Sequence, residues 1–122
     1  MQHRPDVGVV VDAVASVAAE TMVDQVTHDL SENLPPGQAL SLPFSPGYCD
    51  WAVDEQRKIF SLLPECPAGT VLSEDAMMSP RKSVSGILGA GSKEQMADTV
   101  NPCTSCARKE CDHRRSPYRR TD

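Results

Sequence analysis

Aromatic side chains are scarce in this 122-residue chain: two Phe, two Tyr and one Trp make up 4% of it, within a hydrophobic content of 39%. Much of the apolar content is Ala and Val, which bury little area each. The length allows one domain, and the core expected for it is thin. Four of the five aromatics, Phe44, Tyr48, Trp51 and Phe60, fall in one short window. Stability and any stacking surface both depend on that window.

Long apolar runs are missing too. Nothing approaches the length of a membrane span, and the valine-rich stretch Val7–Val11 is stopped at once by Asp12, unlike a secretory leader. The expectation is a cytoplasmic protein with no membrane partner. In that compartment Cys49, Cys66, Cys103, Cys106 and Cys111 are expected as reduced thiols or metal ligands, and their odd number agrees. Gly86, Gly89 and Gly91 lack the spacing of a phosphate- or dinucleotide-binding loop. No Ser-His-Asp or Cys-His arrangement can be assembled from the spacings, so a hydrolase has no foothold. The formal charge of −5 hides an acidic first half and a tail carrying Lys109, Arg114, Arg115, Arg119 and Arg120. Such an end can meet nucleic acid or an acidic partner, but it reads first as a solvated terminus, and no nucleic acid is expected.

What is present is mostly helical at the start. Between Asp6 and Leu30, Val7, Val10, Val14, Val17, Thr21 and Val26 recur at helical spacing, widened by Val11, Ala18 and Met22. One long amphipathic helix is predicted, with Asp12, Glu20, Asp24 and Asp29 on its solvated face. Pro35-Pro36-Gly37 forbid its continuation. A second, shorter helix is predicted from about Val53 to Leu63, with Asp54 and Glu55 in its first turn and Pro64 at its end. Thr70–Met78 and Ser83–Leu88 read as two short strands joined by Ser79–Lys82. The interval Gly89–Val100 is open between loop and short helix. From Asn101 onward irregular structure is expected. The fold class is therefore α+β: long N-terminal helix, short second helix, small antiparallel strand pair and a cysteine-rich tail, divided into residues 1–100 and 101–122. His3 and His28 read as surface residues, and Met77-Met78 as gap-filling side chains.

Ser45-Pro46-Gly47-Tyr48 has the residues of a type II turn, Pro46 setting φ and Gly47 supplying a positive φ. The same Gly would let a ligand approach the backbone closely, with Tyr48 packed against it and Trp51 capping the pocket. The flanking residues bear on this choice. Phe44-Ser45-Pro46-Gly47-Tyr48-Cys49-Asp50-Trp51, then Glu55-Gln56, Ile59-Phe60-Ser61-Leu62-Leu63 and Met77-Met78-Ser79-Pro80-Arg81-Lys82-Ser83-Val84-Ser85-Gly86, together resemble the activation domain of cobalamin-dependent methionine synthase. The likeness is greater to the small stand-alone relatives of that domain that accompany corrinoid methyltransferases, and it spans Asp12 to Gly86.

The resemblance implies a site for S-adenosylmethionine, used with one electron from a donor to remethylate an inactive cobalamin held by a partner methyltransferase. Cobalt is the nucleophile in that chemistry, and the protein orients the methyl group toward it. By the same resemblance Ser45 and Gly47 would offer main-chain groups, Tyr48 and Trp51 would line the pocket, and Ser83, Ser85 and Gly86 would form the wall beside it. Where the fuller motif carries an Arg four residues before the Gly, this chain has Pro43. Either Arg81, Lys82 or Arg57 then meets the ligand's carboxylate, or affinity is lower. The family domain is also larger, so the chain reads as a truncated form of it.

Cys103-x-x-Cys106-x-x-x-x-Cys111 is a compact clamp whose first spacing is that of a metal knuckle. Three thiolates leave a fourth position for His113, Cys66 or Cys49 in a structural zinc site. An iron–sulfur cluster with a non-cysteine or exogenous fourth ligand is the alternative, and it would suit the low-potential electron that remethylation requires. Zinc and iron are not separated by sequence. The rival function is a non-catalytic zinc- or iron–sulfur-binding adaptor with a basic tail.

Overall fold

The first helix, α1 (Pro5–Glu32), begins on a proline, whose fixed φ suits the first helical turn, where its missing N–H costs nothing. Arg4 pairs with Asp6 of that turn at 3.0 Å. These coordinates are a computed structural model, which describes residues 4–97, 101–112, 114 and 116–119. Val100, His113, Arg115, Arg120 and His3, named above, lie outside that set. At about 1.5 Å per residue, 28 residues make a rod about 42 Å long. It ends at Asn33, whose N–H returns to the carbonyls of Leu30 and Ser31.

The helix matches the sequence pattern in extent but turns a different face inward. None of its residues is buried. Val10, Val11, Val14 and Val17 of the predicted stripe are each at least 60% exposed. The half-buried positions are Ala15, Ser16, Ala19, Glu20, Val23 and Thr27, whose i, i+4 spacing defines a face on nearly the opposite side of the helix. Small side chains there let the rest of the chain come close. Lys82 holds the contact, its ammonium 2.8 Å from both the Asp12 carboxylate and the Ser16 hydroxyl.

Two small antiparallel units complete the α+β fold. β1 (Gln38–Leu40) pairs with β4 (Ala90–Ser92) in the register Gln38↔Ser92 to Leu40↔Ala90. The pairing continues through Ser41 N–H to Gly89 O at 2.8 Å, then slips by one residue. Phe44 and Ile87 exchange both main-chain bonds, at 3.0 and 2.8 Å. Leu42 and Pro43 thus stand opposite Leu88 alone, which is a β-bulge, placed where Pro43 has no N–H to give. The predicted strand Ser83–Leu88 is accordingly displaced: Ile87 is bridged, Ser83–Gly86 is not a strand, and the true partner lies at 90–92. Gly and Ala in Ala90-Gly91-Ser92 carry little strand propensity, which hid it. α3 (Lys93–Ala97) follows directly, resolving the open interval as strand then helix over its described part.

In the second unit, β2 (Val71–Leu72) and β3 (Met78–Ser79) form a hairpin, shorter than the predicted strand and folded back within it. A 3₁₀ turn, Val53–Glu55, leads into α2 (Gln56–Leu62). Gln56, 5% exposed, donates to Ala76 O at 2.7 Å and accepts from the Ser85 hydroxyl at 2.5 Å. One buried amide therefore ties α2 to the hairpin and to the segment before Ile87. Ala76 is fully buried at φ 57°, a left-handed conformation that Ala resists. Among the described residues no large side chain is fully buried, as the scarcity of aromatics foretold. No described helix is long and apolar enough to cross a membrane.

The tail, predicted irregular, is nevertheless organised. Asn101 accepts the Cys103 N–H at 2.9 Å at the start of a 3₁₀ turn, Pro102–Thr104. The Arg114 guanidinium donates to the main-chain carbonyls of Cys103, Cys106, Arg108, Lys109 and Ser116. Five carbonyls gathered on one cation curl residues 103–116 into a loop around it. Lys109 lies 4.7 Å from the centre of the Tyr118 ring.

Candidate functional site

The turn at Gly47 forms as its residues require. Tyr48 N–H reaches Ser45 O at 3.3 Å, and Gly47, at φ 90°, gives its N–H to Trp51 O at 2.7 Å. This is the arrangement of a type II turn with proline second and glycine third. A Cβ on Gly47 would touch Val53 at no closer than 3.8 Å. The conformation, not crowding, calls for glycine here. Phe44 and Trp51 stack beneath the turn, ring centres 5.1 Å apart and 12° from parallel. Trp51 is thus engaged with Phe44, while Tyr48 stands half in solvent.

Beside Tyr48 opens a cleft of about 220 Å³. α1 contributes Glu20, Val23 and Asp24 to its wall; the bulged strand contributes Leu42, Pro43, Phe44 and Ser45. Tyr48 and Cys49 come from the turn, Val84 from the segment before Ile87, and Asn101, Pro102 and Cys103 from the tail. Elements far apart in sequence thus meet at this cleft. The charged side chains of this lining are the two carboxylates, Glu20 and Asp24. Pro43 lies on the wall itself.

The remaining sequence-predicted residues stand outside that lining. The Ser83 hydroxyl donates to Pro80 O at 2.7 Å, Ser85 is spent on Gln56, and Gly86 packs against the strand. A Cβ on Gly86 would fall 2.9 Å from Phe44 O and from the Ser45 hydroxyl. Of the cations offered as substitutes for Arg, Arg57 is bonded to Glu74 O, and Lys82 is held by Asp12 and Ser16. Arg81 acts on Asp12, whose carboxyl the Lys82 ammonium holds below its ordinary value, chiefly by hydrogen bonding. Sequence reasoning missed Glu20 and Asp24, reading them as solvated. Their i, i+4 spacing around Val23 was the available signal.

Cysteine chemistry borders the same cleft. Cys49, at φ 54°, stands next to Tyr48 and shares the cleft wall with Cys103. Burial first, then the Cys106 hydrogen bond and the charges of Cys106, Cys103 and Asp50, push the Cys49 thiol up to about 11. Cys66 is exposed, whereas the other four are half-buried. Among the described residues no group of three or more His, Cys, Asp and Glu side chains is placed so that it could hold a metal ion. Comparison of the chain with models of known protein families, with curated proteins and with solved structures finds no match.

Proposed function

We propose that this chain binds S-adenosylmethionine in the Tyr48 cleft and serves the reductive remethylation of a corrinoid cofactor carried by a partner methyltransferase, with a separate electron donor. The observation that carries the reading is the cleft's composition. A half-exposed phenol, Tyr48, shares the cleft wall with two carboxylates, Glu20 and Asp24. Such a wall favours a cation with a flat apolar portion, since carboxylates attract the positive centre and aromatic faces add to that attraction. The family resemblance supplies the identity of the cation, a sulfonium.

About 220 Å³ is below the roughly 300–1,000 Å³ of a pocket that encloses a whole small molecule. The cleft therefore takes the sulfonium end and leaves the rest of the ligand at the surface, where a partner could meet it. When bound, this cofactor supplies an activated methyl group to the partner's cobalt. Glu20 and Asp24 would hold the cationic centre by charge, and Tyr48 would pack beside it. Cys103, Cys106 and Cys111 would supply thiolates to zinc or an iron–sulfur cluster in the tail.

Calorimetry with S-adenosylmethionine tests the reading. The unmodified chain is expected to bind, Tyr48→Ala and Asp24→Asn each to lose about tenfold or more in affinity, and S-adenosylhomocysteine, which lacks the sulfonium charge, to bind more weakly. No binding heat, or equal affinity for both nucleosides, overturns it. Metal binding without nucleoside binding would favour the adaptor instead.

A further inference from the structure

We propose that the exposed valine face of α1 is the contact surface of a homodimer, in which a second copy of this chain lays its α1 antiparallel against it about a two-fold axis at Val14. Ala15, Ala19 and Val23 mark the half-buried side of the helix. On the opposite side Val7, Val10, Val14 and Val17 stand exposed in a row, with Val11 and Met22 at its edge. At on the order of 100 Å² for each of these side chains, the face offers roughly 600 Å² per copy, and its rim brings it close to the ~800 Å² per partner of a standard specific interface. Contiguous apolar patches of this extent mark surfaces that associate. Because the face points away from the half-buried one, the two bodies lie on the outer sides of the helix pair and leave the contact open.

The pattern along the helix fits its own copy. Val7 and Thr21, Val10 and Ala18, and Val11 and Val17 are pairwise equidistant from Val14 in sequence. A two-fold axis at Val14 brings the members of each pair to the same height on facing helices, which is the self-complementarity an isologous contact requires. With 3.6 residues per turn, the two members lie on opposite flanks of the row. Side chains of one copy therefore fall beside those of the other, as interlocking rows do. Val14 alone meets its own copy at the axis.

Charge selects the antiparallel direction. The helix carries Asp6, Asp12, Glu20, Asp24, Asp29 and Glu32, and its flanking cation is Arg4. A parallel pair would set each acid level with its own copy. Asp6 and Asp24 are 18 residues apart, five full turns, and so share one flank. In the antiparallel pair Asp24 of one copy comes level with Arg4 of the other, beside the Arg4–Asp6 ion pair of 3.0 Å, and the helix dipoles run head to tail. This association does not depend on what the Tyr48 cleft or the tail cysteines bind.

Sedimentation of the full, reduced chain over a range of concentrations tests it. At about 100 μM the mass should approach twice 13.2 kDa and fall toward one chain on dilution. Val14→Asp should weaken association about tenfold or more while leaving helical circular dichroism unchanged, since Val14 is exposed in the single chain. Val9→Asp, an exposed valine off the row, should associate as the unmodified chain does. Val7→Cys and Thr21→Cys chains, mixed and oxidised, should give cross-linked peptides joining position 7 of one to position 21 of the other. A monomer at every concentration up to about 1 mM overturns the proposal, as does undiminished association in Val14→Asp. Cross-links joining 7 to 7 and 21 to 21 overturn the antiparallel arrangement.

Discussion

Gly86, just before the Phe44–Ile87 bridge, and Gly91, within β4, show how one residue type serves different ends. A Cβ at Gly86 would meet the Phe44 carbonyl and the Ser45 hydroxyl at 2.9 Å, whereas at Gly91 it would meet the ends of Gln95 and Met96 at 3.0 Å. Main chain in a paired strand cannot move aside, but the tip of a Met can. Gly86→Ala should therefore cost about 1–3 kcal/mol, the range of overpacking, while Gly91→Ala should stay within about 0.5 kcal/mol, because a less flexible unfolded chain offsets the crowding. Urea unfolding of the two variants side by side checks this; equal losses would mean that the close approach at Phe44 is not a constraint. The Gly was legible in the sequence as a family-like anchor, but its reason was not. It keeps a strand close, at a point bordering the cleft.

At the scale of elements, α1 is held to the rest of the molecule at its middle by Lys82, which grips Asp12 and Ser16. Asp12 titrates below its ordinary value through the Lys82 hydrogen bond and charge. Its contribution to stability is thus complete above the ordinary carboxylate range and lost as pH falls through the lowered folded value. Lys82→Met should melt below the unmodified chain at neutral pH, and the difference should close on acidification below that range. Salt should narrow it as well, since Asp12 is exposed and the pair is screened. A difference in melting that persists unchanged in strong acid would assign the effect to packing of the Lys stem. Sequence periodicity found this helix and its ends, because spacing and prolines are local facts. It chose the wrong inward face: apolar periodicity ranks residues by hydropathy, whereas the contact is made by small side chains and one ion pair.

For the whole molecule, the buried side chains among the described residues are Pro46, Gln56 and Ala76. A core this small places the metal-free chain at or below the lower end of the usual stability of about 5–15 kcal/mol. Metal ligation by the tail cysteines would add stability by binding the folded form alone. Urea unfolding should accordingly shift to a higher midpoint on saturation with zinc, with a steeper slope if the tail joins the cooperative unit. Cys103→Ser should remove most of that shift. A zinc-independent midpoint would mean that the tail does not gain stability from the metal.

The sequence by itself determined the long helix and its stop at Pro35-Pro36-Gly37, the short second helix, the Pro46-Gly47 turn and the α+β class, all of which follow from propensities acting over a few neighbouring residues. It also marked Tyr48 and the three tail cysteines as candidates, through motif and spacing. Only the tertiary structure decided that Leu42 and Pro43 bulge against Leu88, that Glu20 and Asp24 border the Tyr48 cleft, that Arg114 gathers five carbonyls, and that Cys49 and Cys103 share one cleft wall. Each of these depends on which distant segments pack together, and in a chain with so few large apolar side chains that choice rests on hydrogen bonds and close backbone approach, which leave no periodic trace in the sequence.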